Sequence, residues 1–184
     1  MSEVLASSPR QTAGCRAAAA PTRTSWAAAG DTACCSTSMC WRGDLENCVF
    51  CELVAGKRPI SIIDETADLL AFMDIQPVNS GHALVIPKRH APCLADLDLA
   101  LGGRIFAMAM RIAAALRTCG VRCEGINLFL ADGKAAGQEV FHAHLHVFPR
   151  FAGDGFGLKF SPRYFVLPPR ADLDEVAREI RNAM

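Results

Sequence analysis

From Cys48 onward, apolar and polar positions fall into short ordered runs. VFCELVAGK reads as a short helix or turn closed by Gly56. Three β-runs follow, ISIIDET, LLAFMDI and HALVIPK, with Pro77 and the NSG of residues 79–81 marking the turn between the last two. From Leu94 to Leu116 apolar residues recur at three- and four-residue spacing (Ile105, Met108, Ile112, Leu116), which predicts a long amphipathic helix ended by Gly120. INLFLA reads as a strand, DGKAAGQ as a glycine-bearing loop and EVFHAHLHVFPR as a final strand. A closing helix over 173–183 carries Val176, Ile180 and Ala183 on one face. Strands in succession around one long helix predict an α+β domain with a mainly antiparallel sheet. Residues 1–44, rich in Ala, Ser and Thr with no sustained period, read instead as a disordered or non-native extension, with Met39 as a candidate start. Their arginines and scarcity of acids leave an organellar targeting segment as the alternative. The working domain is expected to span 45–184.

Composition narrows the class. In 184 residues, 51% are hydrophobic and 21% charged, as in a single soluble globular domain. A formal net charge of +0 argues against a nucleic-acid or acidic-membrane partner. No apolar run is read as approaching the roughly 18 residues a membrane span needs. Nine cysteines, an odd count without regular spacing, suggest reduced thiols and a cytoplasmic setting. Only Cys48 and Cys51, in CVFC, have a spacing with chemical meaning.

Three of the five histidines stand at alternate positions, 142, 144 and 146. In a strand they share one face, opposite Phe141, Ala143, Leu145 and Val147. A row of imidazoles can supply a nucleophile, a general acid or metal ligands. In the preceding loop, Gly133 and Gly137 can bring backbone N–H groups close to an anion, and Gln138 adds a neutral donor. Phosphate beside a histidine nucleophile points to phosphoryl or nucleotidyl transfer through a phosphohistidine-type intermediate.

His142-Ala143-His144-Leu145-His146-Val147-Phe148 resembles the histidine-triad (HIT) motif. CVFCELVAGKRPISIIDET, LLAFMDIQPVNSGHALVIPKRH and AGQEVFHAHLHVFPRFAGDGFG extend the resemblance over residues 46 to 160, to the bacterial zinc-containing branch of that family. It implies an enzyme that cleaves at the α-phosphate of a purine nucleotide, a phosphoramidate or a dinucleoside polyphosphate. The expected nucleophile is His144, with His146 and Gln138 on phosphate oxygens and His82 in support. Gly137 and Glu139 belong to the same phosphate loop. The nucleoside is expected among Val49, Phe50, Leu53, Phe72 and Ile75, with Asp74 accepting from the ribose hydroxyls.

The resemblance also implies a closed structural zinc site of Cys48, Cys51, His90 and His142, and no organic cofactor. It implies a five-stranded antiparallel sheet, and a homodimer joined through an edge strand and the long helix, whose Ala107, Met108, Met110 and Ala113 are small or apolar. Two departures bear on substrate choice. Ala131 stands eleven positions before His142, where much of the family has Asn, and Glu139 follows Gln138, where Ser is usual. A carboxylate accepts hydrogen bonds and repels an anion, whereas serine can donate. Glu139 therefore either points away or favours a cationic leaving group. Two other readings stay open: a low-turnover nucleotide-binding or scaffold protein of the same fold, and a metal-dependent hydrolase built on the His-x-His strand.

Overall fold

The computed structural model describes residues 47–184, so the expectations for residues 1–44, Met39 among them, lie outside the described residues. Five strands, β1 (Ile62–Glu65), β2 (Leu69–Met73), β3 (Ala83–Pro87), β4 (Gly125–Phe129) and β5 (Leu145–Arg150), form one sheet in the order β1-β2-β3-β5-β4. Every pairing is antiparallel. The helices are α1 (Val49–Val54), α2 (Leu99–Leu116) and α3 (Arg170–Ala183). The α+β architecture read from the sequence is the one observed.

Both faces of the central strands are covered, which explains why β2 and β3 are continuously apolar rather than alternating. Leu69, Ala71, Ala83, Val85, Leu145 and Val147 face α2 and meet its Leu101, Ile105, Met108, Ala109, Ile112 and Leu116. Leu70, Phe72, Leu84 and Ile86 face the other way, onto Phe50 of α1. Each large aliphatic so buried contributes about 1.5–3 kcal/mol. Because Leu84 pairs with His146, the histidines belong to the α1 face.

Several boundaries differ from the sequence reading. Residues Leu94–Asp96 form a separate 3-10 turn, and α2 begins at Leu99, where the Asp98 carboxylate accepts the Leu101 N–H at 2.7 Å. The closing helix starts earlier, just after Pro169. Its apolar residues Leu173, Val176 and Ile180 remain exposed. α2 is also, by length and composition, apolar enough to cross a membrane (18 residues, hydropathy 1.6), against the expectation that no run comes close. Its sheet-facing stripe is buried in the α2 cluster, as in the core helix of a globular domain.

The largest difference is in the triad strand, which begins only at Leu145. Ala143 N–H donates to the Ala91 carbonyl at 2.6 Å, so this residue pairs outside the ladder. Cys93 is disulfide-bonded, against the expectation of reduced thiols; an odd tally cannot distinguish one closed pair from none. Gly81 sets the turn before His82. Its φ is +98°, and a Cβ there would lie 2.9 Å from Leu116 Cδ2. Only glycine fits that approach of the turn to the end of α2.

Candidate functional site

The five histidines lie in one continuous row of rings. His90 is 5.2 Å from His142, Phe50 spans His142 and His144 at 5.7 and 5.2 Å, His144 is 4.9 Å from His146, and His146 is 5.1 Å from His82. α1 positions Phe50 over the row, His82 immediately precedes β3, and the 140–146 segment carries the triad.

At one end, Cys48, Cys51, His90 and His142 bring four ligand atoms within 4.8 Å of one another. Cys48 Sγ lies 3.4 Å and Cys51 Sγ 3.7 Å from His142 Nδ1, and Cys51 Sγ lies 3.3 Å from His90 Nδ1. A tetrahedron with metal–sulfur bonds of ~2.3 Å and metal–nitrogen bonds of ~2.0 Å has S···N edges of about 3.5 Å, so the spacing fits zinc. His142 Nε2–H donates to the Pro87 carbonyl at 2.8 Å, which leaves the Nδ1 lone pair facing the cysteines. His90 Nε2 is buried without a partner, as befits a ring placed for its other nitrogen. Burial, then Cys48, push the Cys51 thiol up to about 11, a penalty that a bound cation reverses. Two thiolates and two imidazoles make a closed zinc site with no position left for a reactant.

Next in the row, His144 is 7% exposed. Its Nδ1–H donates to the His142 carbonyl at 2.7 Å, which fixes the tautomer and leaves the Nε2 lone pair free. Burial lowers its pKa, against the opposing effects of that hydrogen bond and of the Asp74 and Glu139 carboxylates. At neutral pH the ring is therefore unprotonated. His146 is set by a chain of hydrogen bonds: Val78 N–H donates to His82 Nδ1 at 3.1 Å, and His82 Nε2 meets His146 Nδ1 at 2.9 Å. With His82 Nδ1 accepting, its Nε2 carries the proton and donates to His146, whose own Nε2–H is then a donor. Burial, then His144 and His82, push His146 down to about 4, with Asp74 opposing. Burial likewise lowers His82, against the Asp74 carboxylate 3.5 Å away.

The other expected residues stand on the loop, in the core and at the surface. The Gln138 side chain is 4% exposed and fully engaged: its Oε1 accepts Gly133 N–H at 2.7 Å, and its Nε2 donates to the Pro92 and Val140 carbonyls at 2.7 and 3.1 Å. These bonds brace the loop. Gly137 N–H donates to Lys134 O, so it too is engaged within the loop. Phe50 and Phe72 are buried in edge contact with centroids 5.8 Å apart, while Val49 and Leu53 are half-buried against them. Ile75 is 94% exposed and belongs to no core cluster. Asp74 Oδ2 faces both His82 (3.5 Å) and His146 (3.8 Å).

Phe129, 42% exposed on β4 and 5.9 Å from His146, was not singled out from sequence. The run INLFLA contains its signal only once the register pairs it with His146. A recess of about 270 Å³ between the β1–β2 turn and α2 is lined by Thr66, Asp68, Arg104 and Arg111 among others, with no histidine, and is separate from this site.

Residues 55–153 match the HIT domain model. The chain belongs to the HIT family. It is 42% identical over 140 residues to the protein named hit of Bacillus subtilis, covering 76% of this chain and 95% of that one. It is 33% identical over 138 residues to an adenosine 5'-monophosphoramidase of Schizosaccharomyces pombe, covering 73% of this chain and 99% of that one. A zinc-bound histidine triad family protein from Mycobacterium smegmatis superposes with a TM-score of 0.59 at 37% identity, over 76% of this chain and 99% of that one. The HIT-family identity, the fold and the zinc site read from sequence are thus those of the protein.

Proposed function

We propose that this HIT protein hydrolyses a purine nucleoside phosphoramidate or dinucleoside polyphosphate at the α-phosphate and releases a nucleoside monophosphate. The observation that carries the reading is the His144 Nδ1–H bond to the His142 carbonyl at 2.7 Å, which presents Nε2 as a lone pair. Nε2 bonds to the α-phosphorus as the bond from phosphorus to the leaving group breaks, and the leaving atom takes a proton from solvent. The ring becomes cationic, and the same carbonyl then accepts a stronger, charge-assisted hydrogen bond. His146 Nε2–H is a donor for a non-bridging phosphate oxygen. Water then attacks phosphorus, releases one proton and restores His144, so protons balance over the cycle. Val49, Phe50, Leu53 and Phe72 form the apolar wall for the base, with Asp74 for the ribose. The chain's 33% identity to a phosphoramidase supports this substrate class. Zinc stays outside the reaction and holds α1 and His142 in place.

The experiment is to quench a reaction midway and search by mass spectrometry for a nucleotide attached to His144. Robust turnover without an adduct, or turnover surviving His144→Asn, overturns the reading. The same protein is proposed to act as a cytoplasmic homodimer through α2 and the β4 edge. Phe106 and Met110 face outward on α2, whereas Met108 is buried in its own core. Sedimentation that finds only monomer at micromolar concentration removes that part.

A further inference from the structure

His82 Nδ1 is approached by two groups with opposite demands. Val78 N–H, 3.1 Å away, needs a bare nitrogen, whereas the Asp74 carboxylate at 3.5 Å favours a protonated one. Which of them sets the ring decides what His146 can do. With Nδ1 bare, His82 Nε2–H donates to His146 Nδ1, and His146 keeps its proton on Nε2. With the proton on Nδ1, the same 2.9 Å contact runs the other way, and His146 Nε2 becomes a lone pair that repels a phosphate oxygen. The turn that carries Val78 therefore has to be held. The β3–β5 ladder ends at the Ala83–Val147 pair, so residues 78–82 lie beyond it. Asn79 takes over there. Its carbonyl accepts His82 N–H at 3.0 Å, and its Nδ2 donates to the Pro149 carbonyl of β5 and to Asp154 Oδ2, both at 2.9 Å. The Asp154 side chain, 3% exposed, is in turn fixed by Arg150 Nε at 2.5 Å and Nη2 at 2.8 Å, and by the Phe156 N–H at 3.1 Å. Arg150 Nη1 donates to Asn127 Oδ1 of β4 at 2.9 Å, which ties the clamp to the sheet.

We propose that Asn79 is a positioning residue for the hydrolysis: anchored on Pro149 and Asp154, it keeps Val78 N–H on His82 and so keeps the His146 proton on Nε2, where a phosphate oxygen can accept it. The inference deepens the hydrolase reading above and rests on it. Asn79 touches no reacting atom and exchanges no proton. Its effect passes through the Val78 peptide, His82 and His146 in turn. Released from β5, the turn gives up the Val78 bond, and Asp74 then draws the His82 proton to Nδ1. Each ring still holds one proton, exchanged through water, so only its place changes and the charge does not.

The test uses the full-length, zinc-loaded protein with isotope-labelled histidines. At about pH 8, above the ordinary histidine pKa, nitrogen NMR reads which nitrogen of each ring carries the proton. The wild type should show His82 and His146 both protonated on Nε2. Asn79→Ala should move both protons to Nδ1. Its kcat on an adenosine phosphoramidate should fall at least about ten-fold, towards the roughly 100- to 1,000-fold cost of losing one such donor. KM should stay unchanged, because the donor acts on charge that develops in the transition state. Asp154→Asn keeps the shape of the side chain and leaves the Pro149 bond in place. It should shift the same protons in part and lower kcat less, and it carries the test where Asn79→Ala does not fold. A folded variant with both protons still on Nε2 overturns the proposal whatever happens to kcat, and so do protons that move with kcat unchanged. In both cases the hydrolase reading stands. A wild type without turnover and without an adduct on His144 overturns that reading and the positioning role together.

Discussion

Removing the metal from the Cys48, Cys51, His90 and His142 site tests how the fold holds the row of histidines beside it. α1 has six residues, and Phe50 is the one that is buried. Ordering six backbones opposes folding by about 1–2 kcal/mol each, whereas burying Phe50 returns about 1.5–3 kcal/mol. The half-buried Val49, Leu53 and Val54 narrow that deficit without closing it. A helix this short does not persist alone in water, so the metal must supply the balance. Structural zinc sites contribute about 10–16 kcal/mol of apparent binding energy at neutral pH. Even at a free zinc concentration of only about 1,000 times Kd the native state gains about 4 kcal/mol. At ~2–4 °C per kcal/mol for a domain of this size, chelation should lower Tm by about 8–16 °C or more. The assay pairs zinc content by mass spectrometry with thermal unfolding and turnover on the same samples, and Cys48→Ser should reproduce the chelated protein. Activity should fall together with folded fraction, because loss of α1 also removes Phe50 from its contact with His144. Stoichiometric zinc loss with Tm moved by less than about 2 °C would refute the structural role. A fully folded but inactive apo protein would instead assign the metal to the chemistry.

The pH profile follows from burial. Because His144 and His146 are both held below the ordinary histidine value of 6.5, kcat/KM should stay level as pH falls from 8 through 6.5 and decline only below it. An acid limb centred at or above 6.5 would contradict the neutral, buried nucleophile. Stability carries the same sign: the unfolded chain takes up protons from pH 6.5 downward while His146 resists until about 4, so denaturant midpoints should drop across that window. Midpoints constant from pH 7 to 4.5 would show that these rings do not titrate as placed. Gly81→Ala puts a side chain at φ +98° and 2.9 Å from Leu116 Cδ2. It should lose at least about 1–2 kcal/mol from the left-handed backbone alone, read as a lower Tm. A variant as stable as wild type would mean that the turn relaxes freely.

The sequence showed the strands, the α2 stripe and the donor set because each depends on side-chain type at a fixed period. It did not show which backbone groups set the tautomers, since carbonyls and N–H groups look alike at every position. The triad illustrates the difference. Alternation over 139–150 predicts one unbroken strand, with the three imidazoles differing only in order. Instead pairing begins at Leu145, and Ala143 donates its N–H to Ala91. Had His142 been a regular member of a ladder, its carbonyl would already have a backbone partner. Outside the strand, that carbonyl takes the His144 Nδ1–H, while the His142 ring turns Nδ1 to the cysteines and donates Nε2–H to Pro87. One residue thus joins the zinc site to His144 through two different parts of itself. The departure from strand geometry at 142–144 makes the outer two histidines chemically distinct from the middle one. Gln138 makes the complementary point. Its position was legible from sequence, but its role depends on three partners supplied by residues 92, 133 and 140, which no spacing rule brings together.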